Sequence, residues 1–285
     1  MKITIHSIDK NYCQHSHTAA CYYLAMQPQS YLFRQSAAEP LFPDMLWSRP
    51  ENRLYAGKLV IIGGHAQTFA KPAEAYGLAE KAGIGAVRIL LPDVLRRTVG
   101  KIFPAAEFCP STPSGSFSQT SLGEFLPAAL WAEGVLLAGD FGRNSETAIV
   151  LEKLAEKYTG QLTLVGDSID YFIAVPAPLL NRGNALIVAT PQQLQKLAQA
   201  VHFTTAFTSN MDFLRLVEAL HEFSKKYRLH ICLRHHDNIC LAVDGQVSVT
   251  KNPLSNAELW IGSQAATWWI QNPSKGFEGI TTALL

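Results

Sequence analysis

Four short segments of the chain place glycine and polar residues directly after runs of apolar, largely β-branched residues. They are residues 63–66 (GGHA), 139–143 (GDFGR), 165–168 (VGDS) and 189–191. Glycine permits a positive φ and a close approach of the main chain to a ligand, and the helix that follows offers unpaired N–H groups to an anion. Any one of these loops also fits an ordinary turn between a strand and a helix. Only their joint occurrence indicates a binding site.

The elements around these loops alternate between strand and helix. Such alternation is typical of an α/β protein in which a mostly parallel sheet is doubly wound, with helices on both faces in three layers. The final strands are separated by turn sequences too short for a crossover, which predicts an antiparallel edge. The predicted strands are 58–62, 86–91, 135–138, 162–165, 185–189, 229–233, 239–243 and 246–250, and the predicted helices are 72–82, 145–158, 191–201 and 211–227. Residues 104–121 are predicted to be a loop.

Composition excludes several classes of protein. The 285 residues are 48% hydrophobic and 16% charged, with a formal charge of +1, so no strong field attracts a nucleic acid or an anionic membrane. No apolar run reaches the ~18 residues of a membrane span. The five cysteines are an odd number and fit reduced thiols, so we expect a cytoplasmic protein.

Common catalytic and metal-binding motifs are missing from the sequence. There is no GxSxG elbow, no GxxxxGK[ST] loop and no HExxH helix, which argues against common hydrolases, NTPases and metalloproteases. Two groups of cysteine and histidine lack the spacing of structural zinc sites, so no metal site is predicted. These groups are Cys13, His15, His17 and Cys21, and Cys232, His235, His236 and Cys240.

The order of several motifs resembles a known family. Residues 57–64 (GKLVIIGG), 81–85 (KAGIG), 139–143 (GDFGR) and 190–192 (TPQ) are similar to successive elements of the ADP/ATP-dependent NAD(P)H-hydrate dehydratases, members of the ribokinase-like superfamily. The resemblance covers about residues 49–285. It implies a ribokinase-like domain over 49–285, preceded by an irregular extension over 1–48 that packs on the core.

The resemblance also implies a reaction and a set of contacts. In that family a nucleotide phosphorylates the hydroxyl of hydrated NADH or NADPH, and elimination of phosphate restores the dinucleotide. ATP or ADP, with Mg²⁺, is therefore the expected cofactor, and a nucleotide or dinucleotide is the expected ligand. The implied nucleotide contacts are Arg234, Gly262 and Ser263, and the implied substrate contacts are Gly63, Gly64, Lys71, Gly142, Thr190 and Gln192.

Several positions depart from the family pattern. The family has a GTGD-like helix start that carries a base, and residues 262–265 (GSQA) are matched to it, so Gln264 replaces a glycine and Ala265 replaces the aspartate. Gln192 replaces a histidine, and Arg234-His235 replaces a Lys-Gly pair. We therefore expect weakened or lost dehydratase activity and assign no catalytic residue. The alternatives are a non-catalytic binding or scaffold protein and a small-molecule kinase of the same superfamily.

Acidic and aromatic residues leave two further points open. Asp140, Asp167 and Asp170 lie near strand ends, where one of them can replace the base, although helix capping or exposure to water is the favoured interpretation. Trp260, Trp268 and Trp269 fill the cleft, pack a subunit interface or belong to the ordinary core. A homo-oligomer is expected if they form an interface.

Overall fold

A computed structural model describes residues 30–252 and 258–285. Its centre is one ten-stranded sheet with the order β1-β10-β9-β8-β7-β6-β5-β2-β3-β4. Of the strands in the described residues, β9 alone runs antiparallel to its neighbours. The strands are β1 Leu32–Gln35, β2 Lys58–Gly63, β3 Ala86–Pro92, β4 Ala106–Cys109, β5 Gly134–Gly139, β6 Gln161–Val165, β7 Ala185–Ala189, β8 His230–His235, β9 Asn238–Val243 and β10 Gln246–Lys251.

Helices cover both faces of this sheet. In β2 the side chains of Leu59 and Ile61 enter one apolar cluster, whereas Val60 and Ile62 enter the other, because successive side chains of a strand point to opposite faces. Both sides of the strand are therefore buried, which explains its uninterrupted apolar sequence. The helices are α1 Pro43–Trp47, α2 Ala70–Lys81, α3 Arg96–Val99, α4 Leu122–Trp131, α5 Ser145–Lys157, α6 Pro191–Ala200, α7 Phe213–Tyr227, α8 Glu258–Gln271 and α9 Gly276–Ala283.

This architecture confirms the predicted three-layer, mostly parallel α/β fold with an antiparallel element near one side. The chain proceeds from β2 outwards through β3 to β4, then returns to place β5 on the other side of β2. The loops after β2 and β5 therefore leave the sheet in opposite directions. Such a reversal of strand order opens a crevice at the carboxyl ends of the strands, where ligands bind in open α/β sheets.

Some elements lie where the sequence predicted irregular structure. Within the 1–48 extension, β1 pairs in parallel with β10, and α1 follows it, while residues 1–29 lie outside the described residues. The boundary at residue 48 stays a prediction. β4 lies within the predicted loop 104–121, as a four-residue edge strand beside β3. α4 was not predicted, and it contains both Gly123 and Pro127, which disfavour a helix interior.

The tryptophans near the end of the chain pack inside the fold. Trp268 and Trp269 are buried in α8, and the Arg49 guanidinium lies 4.9 Å from the Trp268 ring centroid. The aromatic residues thus belong to the core, which was one of the three interpretations. No helix among the described residues combines the length and apolar character needed to cross a membrane.

His230 makes stability depend on pH. Its ring is buried 4.8 Å from the Trp269 ring centroid, and in the described part of the chain neither ring nitrogen has a hydrogen-bond partner. Burial lowers the pKa of His230 to about 4. The charge of Asp244 raises this pKa slightly, and that of Arg228 lowers it slightly. Between about pH 6.5 and pH 4 the unfolded chain therefore binds a proton that the folded chain does not, so stability falls as the pH falls.

We expect this histidine to cost about 2 kcal/mol of unfolding free energy between pH 7 and pH 5. His230→Phe keeps a ring beside Trp269 and removes the titrating group. The difference in unfolding free energy between the two pH values, measured by urea unfolding, should therefore be smaller in the variant by that amount. The control is His236→Asn, at an exposed position with φ 53° that asparagine tolerates. An unchanged pH difference in His230→Phe would contradict the assignment.

Candidate functional site

A cavity of about 550 Å³ lies at the crevice between the ends of β2 and β5. Three loops line it, and these follow β2, β5 and β6 in the chain. The three correspond to predicted segments 63–66, 139–143 and 165–168. The side chains that face the cavity include His65, Lys71, Asp140, Arg143, Asp167 and Tyr171.

The first two loops are bonded to each other through the main chain. The N–H of Gly64 donates to the carbonyl of Gly139 at 3.1 Å, and His65 Nδ1 lies 2.9 Å from the carbonyl oxygen of Asp140. A Cβ on Gly63 would lie only 2.5 Å from that same Gly139 oxygen. Gly63 is therefore required for close approach of the strand ends, rather than for a positive φ.

Asp140 caps the helix that follows β2. Its residue adopts φ 61°, and this conformation directs the carboxylate towards α2, where Oδ2 accepts from the main-chain N–H of Lys71 at 3.0 Å and from Thr68 Oγ1 at 3.1 Å. Lys71 Nζ lies 3.6 Å from Asp140 Oδ1. The interpretation of Asp140 as a helix cap is thus confirmed, and Lys71 supplies the compensating charge.

Asp167, which follows β6, binds the loop after β5, residues 139–143, here called the glycine loop. Its carboxylate accepts the main-chain N–H of Asp140 at 2.7 Å and that of Phe141 at 3.0 Å. Lys71 Nζ lies 3.9 Å from Oδ1 of the same carboxylate. Gly139, with φ 96°, leaves the space for this contact, since a Cβ there would meet Asp167 Oδ1 at 2.6 Å. Lys71 thus lies between two carboxylates.

The C-terminal helix begins earlier than the sequence predicted. α8 is described from Glu258 to Gln271, with Gly262 against the carboxyl end of β6 and Ile270 packed over Gly134, the first residue of β5. Gly262 lies in the second turn, where a Cβ would be 2.3 Å from Val165 Cγ2. The predicted helix start at residues 262–265 is therefore wrong. The glycine in this position allows the helix to pack closely against β6.

This shift changes the interpretation of Gly262, Ser263 and Ala265. Inside a helix the N–H groups bond to carbonyls four residues earlier, so Gly262 and Ser263 do not offer free N–H groups to a phosphate. Ser263 and Ala265 are fully buried. Nucleotide contacts by Gly262 and Ser263 stay untested predictions, but the physical reason given for them no longer applies.

An acid, Glu258, is the first described residue of α8. It is half-buried, and desolvation raises the pKa of its carboxyl, while the charge of Lys71 acts in the opposite direction. The same lysine therefore interacts with Glu258, Asp140 and Asp167. Sequence analysis missed Glu258, although an acid in the first turn, preceded by Ser255 and Asn256, is a recognised signal for a helix start.

No family model matches the sequence, and no curated protein is similar to it. Solved structures do match. A ribokinase-like superfamily protein from Enterococcus faecalis has a TM-score of 0.67 at 14% identity, covering 90% of this chain and 86% of that one. The chain has the ribokinase-like fold.

Two other ribokinase-like neighbours extend this comparison. The ADP/ATP-dependent NAD(P)H-hydrate dehydratase from Bacillus subtilis, co-crystallised with ATP and Mg²⁺, has a TM-score of 0.55 at 10% identity, covering 86% of this chain and 85% of that one. A phosphomethylpyrimidine kinase from Clostridium difficile has a TM-score of 0.51 at 8% identity, covering 80% and 97%. Such low identities establish the fold alone, which is the fold that the resemblance implied.

Within this ribokinase-like fold, the predicted substrate residues divide into two groups. Lys71 and Gly142 line the cavity, and Gly63 and Gly64 shape its first loop. Thr190 caps α6 by accepting from the N–H of Gln193, whose side chain donates to the carbonyl of Gly166 at 2.8 Å. Thr190 thereby supports the loop after β6 from the next strand.

Two predicted residues lie apart from this cavity. Gln192 is exposed on the first turn of α6, and Arg234 Nε donates to the carbonyl of His236 within the β8–β9 turn. Neither residue lines the cavity between β2 and β5. Their proposed contacts with substrate or nucleotide remain predictions. The earlier segment Cys13 to Cys21 lies outside the described residues.

Proposed function

We propose that this chain is a divergent relative of the ADP/ATP-dependent NAD(P)H-hydrate dehydratases, with ATP or ADP as cofactor and Glu258 as its base. The observation that carries this proposal is the place of Glu258 one turn before Gly262, which packs on Val165 at the carboxyl end of β6, together with the electrostatic effect of Lys71 on the Glu258 carboxyl. The expectation of weakened or lost activity rested on Gln264 and Ala265 at a helix start, together with the changes at Gln192 and at Arg234-His235. Because Ala265 lies inside α8 and not at its start, we expect weakened rather than lost activity.

Glu258 can perform the proton transfer that this reaction requires. Phosphoryl transfer to a hydroxyl needs a base beside the attacking oxygen, and the hydroxyl proton would pass to the Glu258 carboxylate. Desolvation raises the pKa of this carboxyl, which strengthens it as a base, while the charge of Lys71 lowers the pKa and favours the ionised form.

We propose that Mg²⁺ binds only together with the nucleotide. Among the described residues no three metal-ligating side chains converge, and main-chain N–H groups already bond to the carboxylates of Asp140 and Asp167. Mg²⁺ commonly binds one or two carboxylates together with substrate phosphates, so the described residues do not form a metal site of their own. We assign no step of the reaction to the metal.

Nucleotide binding to the wild-type protein is the first test. ATP or ADP at about 100 times its dissociation constant should stabilise the folded state by about 2.7 kcal/mol, measured as a raised melting temperature. Tripolyphosphate is the control for a general response to polyanions. Incubation with hydrated NADH and ATP or ADP should then restore the absorbance of the reduced dinucleotide, more slowly than in the relatives.

No thermal shift with ATP, ADP or NADPH would contradict this proposal and favour a non-catalytic binding or scaffold protein. One observation supports that alternative, because Asp167 already bonds to the glycine loop that would otherwise receive a ligand. Consumption of ATP without recovery of the dinucleotide would instead favour a small-molecule kinase.

The expected compartment remains the cytoplasm. Three cysteines in the described residues, Cys109, Cys232 and Cys240, are free and buried thiols, as the sequence predicted. Burial raises the pKa of Cys109 to about 12, so this thiol is protonated and unreactive at neutral pH. Buried free thiols are compatible with a reducing compartment. A homo-oligomer also stays a prediction.

A further inference from the structure

We infer that Asp167 acts as an internal anion that excludes phosphate from the inner part of this cavity, so that the ligand group bound there is an uncharged or cationic hydrogen-bond donor, such as a hydroxyl. Asp167 is thus a specificity-determining residue. The inference rests on the proposed function only in taking the cavity between β2 and β5 as the substrate site. It adds which part of a substrate this cavity accepts.

The first observation is how the glycine loop after β5 is used. Two successive main-chain N–H groups, from Asp140 and Phe141, donate to the two carboxylate oxygens of Asp167 at 2.7 and 3.0 Å. Consecutive N–H groups that converge in this way form a site suited to an anion. A side chain of the protein itself occupies that site. A phosphate could use these N–H groups only by displacing Asp167.

The second observation concerns the other groups that favour anions. The N–H of Lys71 at the start of α2 and the hydroxyl of Thr68 both donate to Asp140 Oδ2. The ammonium group of Lys71 lies 3.6 Å from Asp140 and 3.9 Å from Asp167. Each of these donors therefore already has a carboxylate partner, and an entering phosphate would meet two like charges.

Asp170 and Tyr171 offer groups that can accept a hydrogen bond from a ligand. His65 Nδ1 faces the carbonyl of Asp140, which can only accept, so Nδ1 carries a hydrogen and is already used. Asp170 also lines the cavity and has an exposed carboxylate. Arg143 is exposed, so it can contact an anionic part of a larger ligand outside the inner cavity. Hydroxyl or ammonium donors match the Asp170 carboxylate, and the Tyr171 hydroxyl can accept from such a donor or donate.

The test compares Asp167→Ala with Asp170→Ala, and inorganic phosphate is the probe. Both variants remove one negative charge from the same cavity, but only Asp167→Ala frees the two N–H groups of the glycine loop. We expect Asp167→Ala to bind phosphate at least about tenfold more tightly than the wild type by isothermal titration calorimetry, because charge-assisted hydrogen bonds become available. Asp170→Ala should gain less than about threefold.

Asp167→Asn is the second variant in case the alanine variant does not fold. It keeps the size of the side chain and one acceptor oxygen, so it should free one N–H and gain an intermediate phosphate affinity. Equal gains in the Asp167 and Asp170 variants would overturn the inference, since charge alone would then explain them. No gain in either Asp167 variant would overturn it as well.

The outcome is separable from that of the proposed function. Phosphate titration needs neither a nucleotide nor turnover, so a gain specific to Asp167 would support the inference even in a protein that binds no ATP. Conversely, dinucleotide recovery by the wild type without any gain in the Asp167 variants would leave the proposed function intact and reject this role of Asp167.

Discussion

Replacing Glu258 by glutamine should lower the rate of dinucleotide recovery by about 10² to 10⁴, the usual contribution of a general base. The substitution keeps the size and the polarity of the side chain but removes its ability to accept a proton. Binding of ATP or ADP, measured by the shift in melting temperature, should change far less than the rate. This separation of rate from binding identifies a catalytic role rather than a structural one.

The matched control for Glu258 is Glu278→Gln. Glu278 also lies in the first turn of a helix, α9, but this helix contacts β9 and β10, whereas α8 contacts β5, β6 and β7. Its replacement should leave the rate within about twofold of the wild type, because first-turn acids typically contribute less than 1 kcal/mol to helix stability. A Glu258→Gln variant that retained a third of the wild-type rate would exclude Glu258 as the base.

Replacing Gly139 by alanine should destabilise the protein by about 2 to 5 kcal/mol. Strain at φ 96° and overpacking both contribute, since the new methyl group would lie 2.6 Å from Asp167 Oδ1 and 3.3 Å from Lys71 Cδ. Asp167 would have to move away from the N–H groups of Asp140 and Phe141. Urea unfolding monitored by circular dichroism measures the loss.

Gly77 provides the control for this substitution. It lies within α2, and in the described part of the chain no atom comes within 4 Å of the position that its Cβ would take. Gly77→Ala should therefore stabilise the protein by about 0.5 to 1 kcal/mol, because alanine favours the helix. If the unfolding free energy of Gly139→Ala lay within about 0.5 kcal/mol of the wild-type value, Gly139 would not be closely packed against Asp167.

The sequence predicted the central βα units well because each of them carries its own local signals. α5 begins after Asn144, whose side chain accepts from the N–H groups of Glu146 and Thr147, as a capping residue should. The strand Ala185–Ala189 and the proline that begins α6 were located to the residue. Local capping and a continuous apolar strand are sufficient evidence for such units.

The errors arose where the deciding interactions are distant in sequence. Gly262 and Ser263 resembled a phosphate-binding helix start. Glycine is needed at position 262 because α8 packs there on Val165, almost a hundred residues earlier in the chain. Likewise, the role of Asp167 depends on N–H groups in the loop after β5. A single sequence does not display these contacts, so the loops were predicted but the partners of their charged groups were not.

The pairing of β1 with β10 determines when the sheet can be completed during synthesis. Gln35 in β1 donates to the hydroxyl of Thr250 in β10, which is translated 215 residues later. The nascent strand must therefore remain without its partner while the ribosome makes almost all of the remaining sheet. The insertion of this early segment should therefore be a late step in the assembly of the sheet.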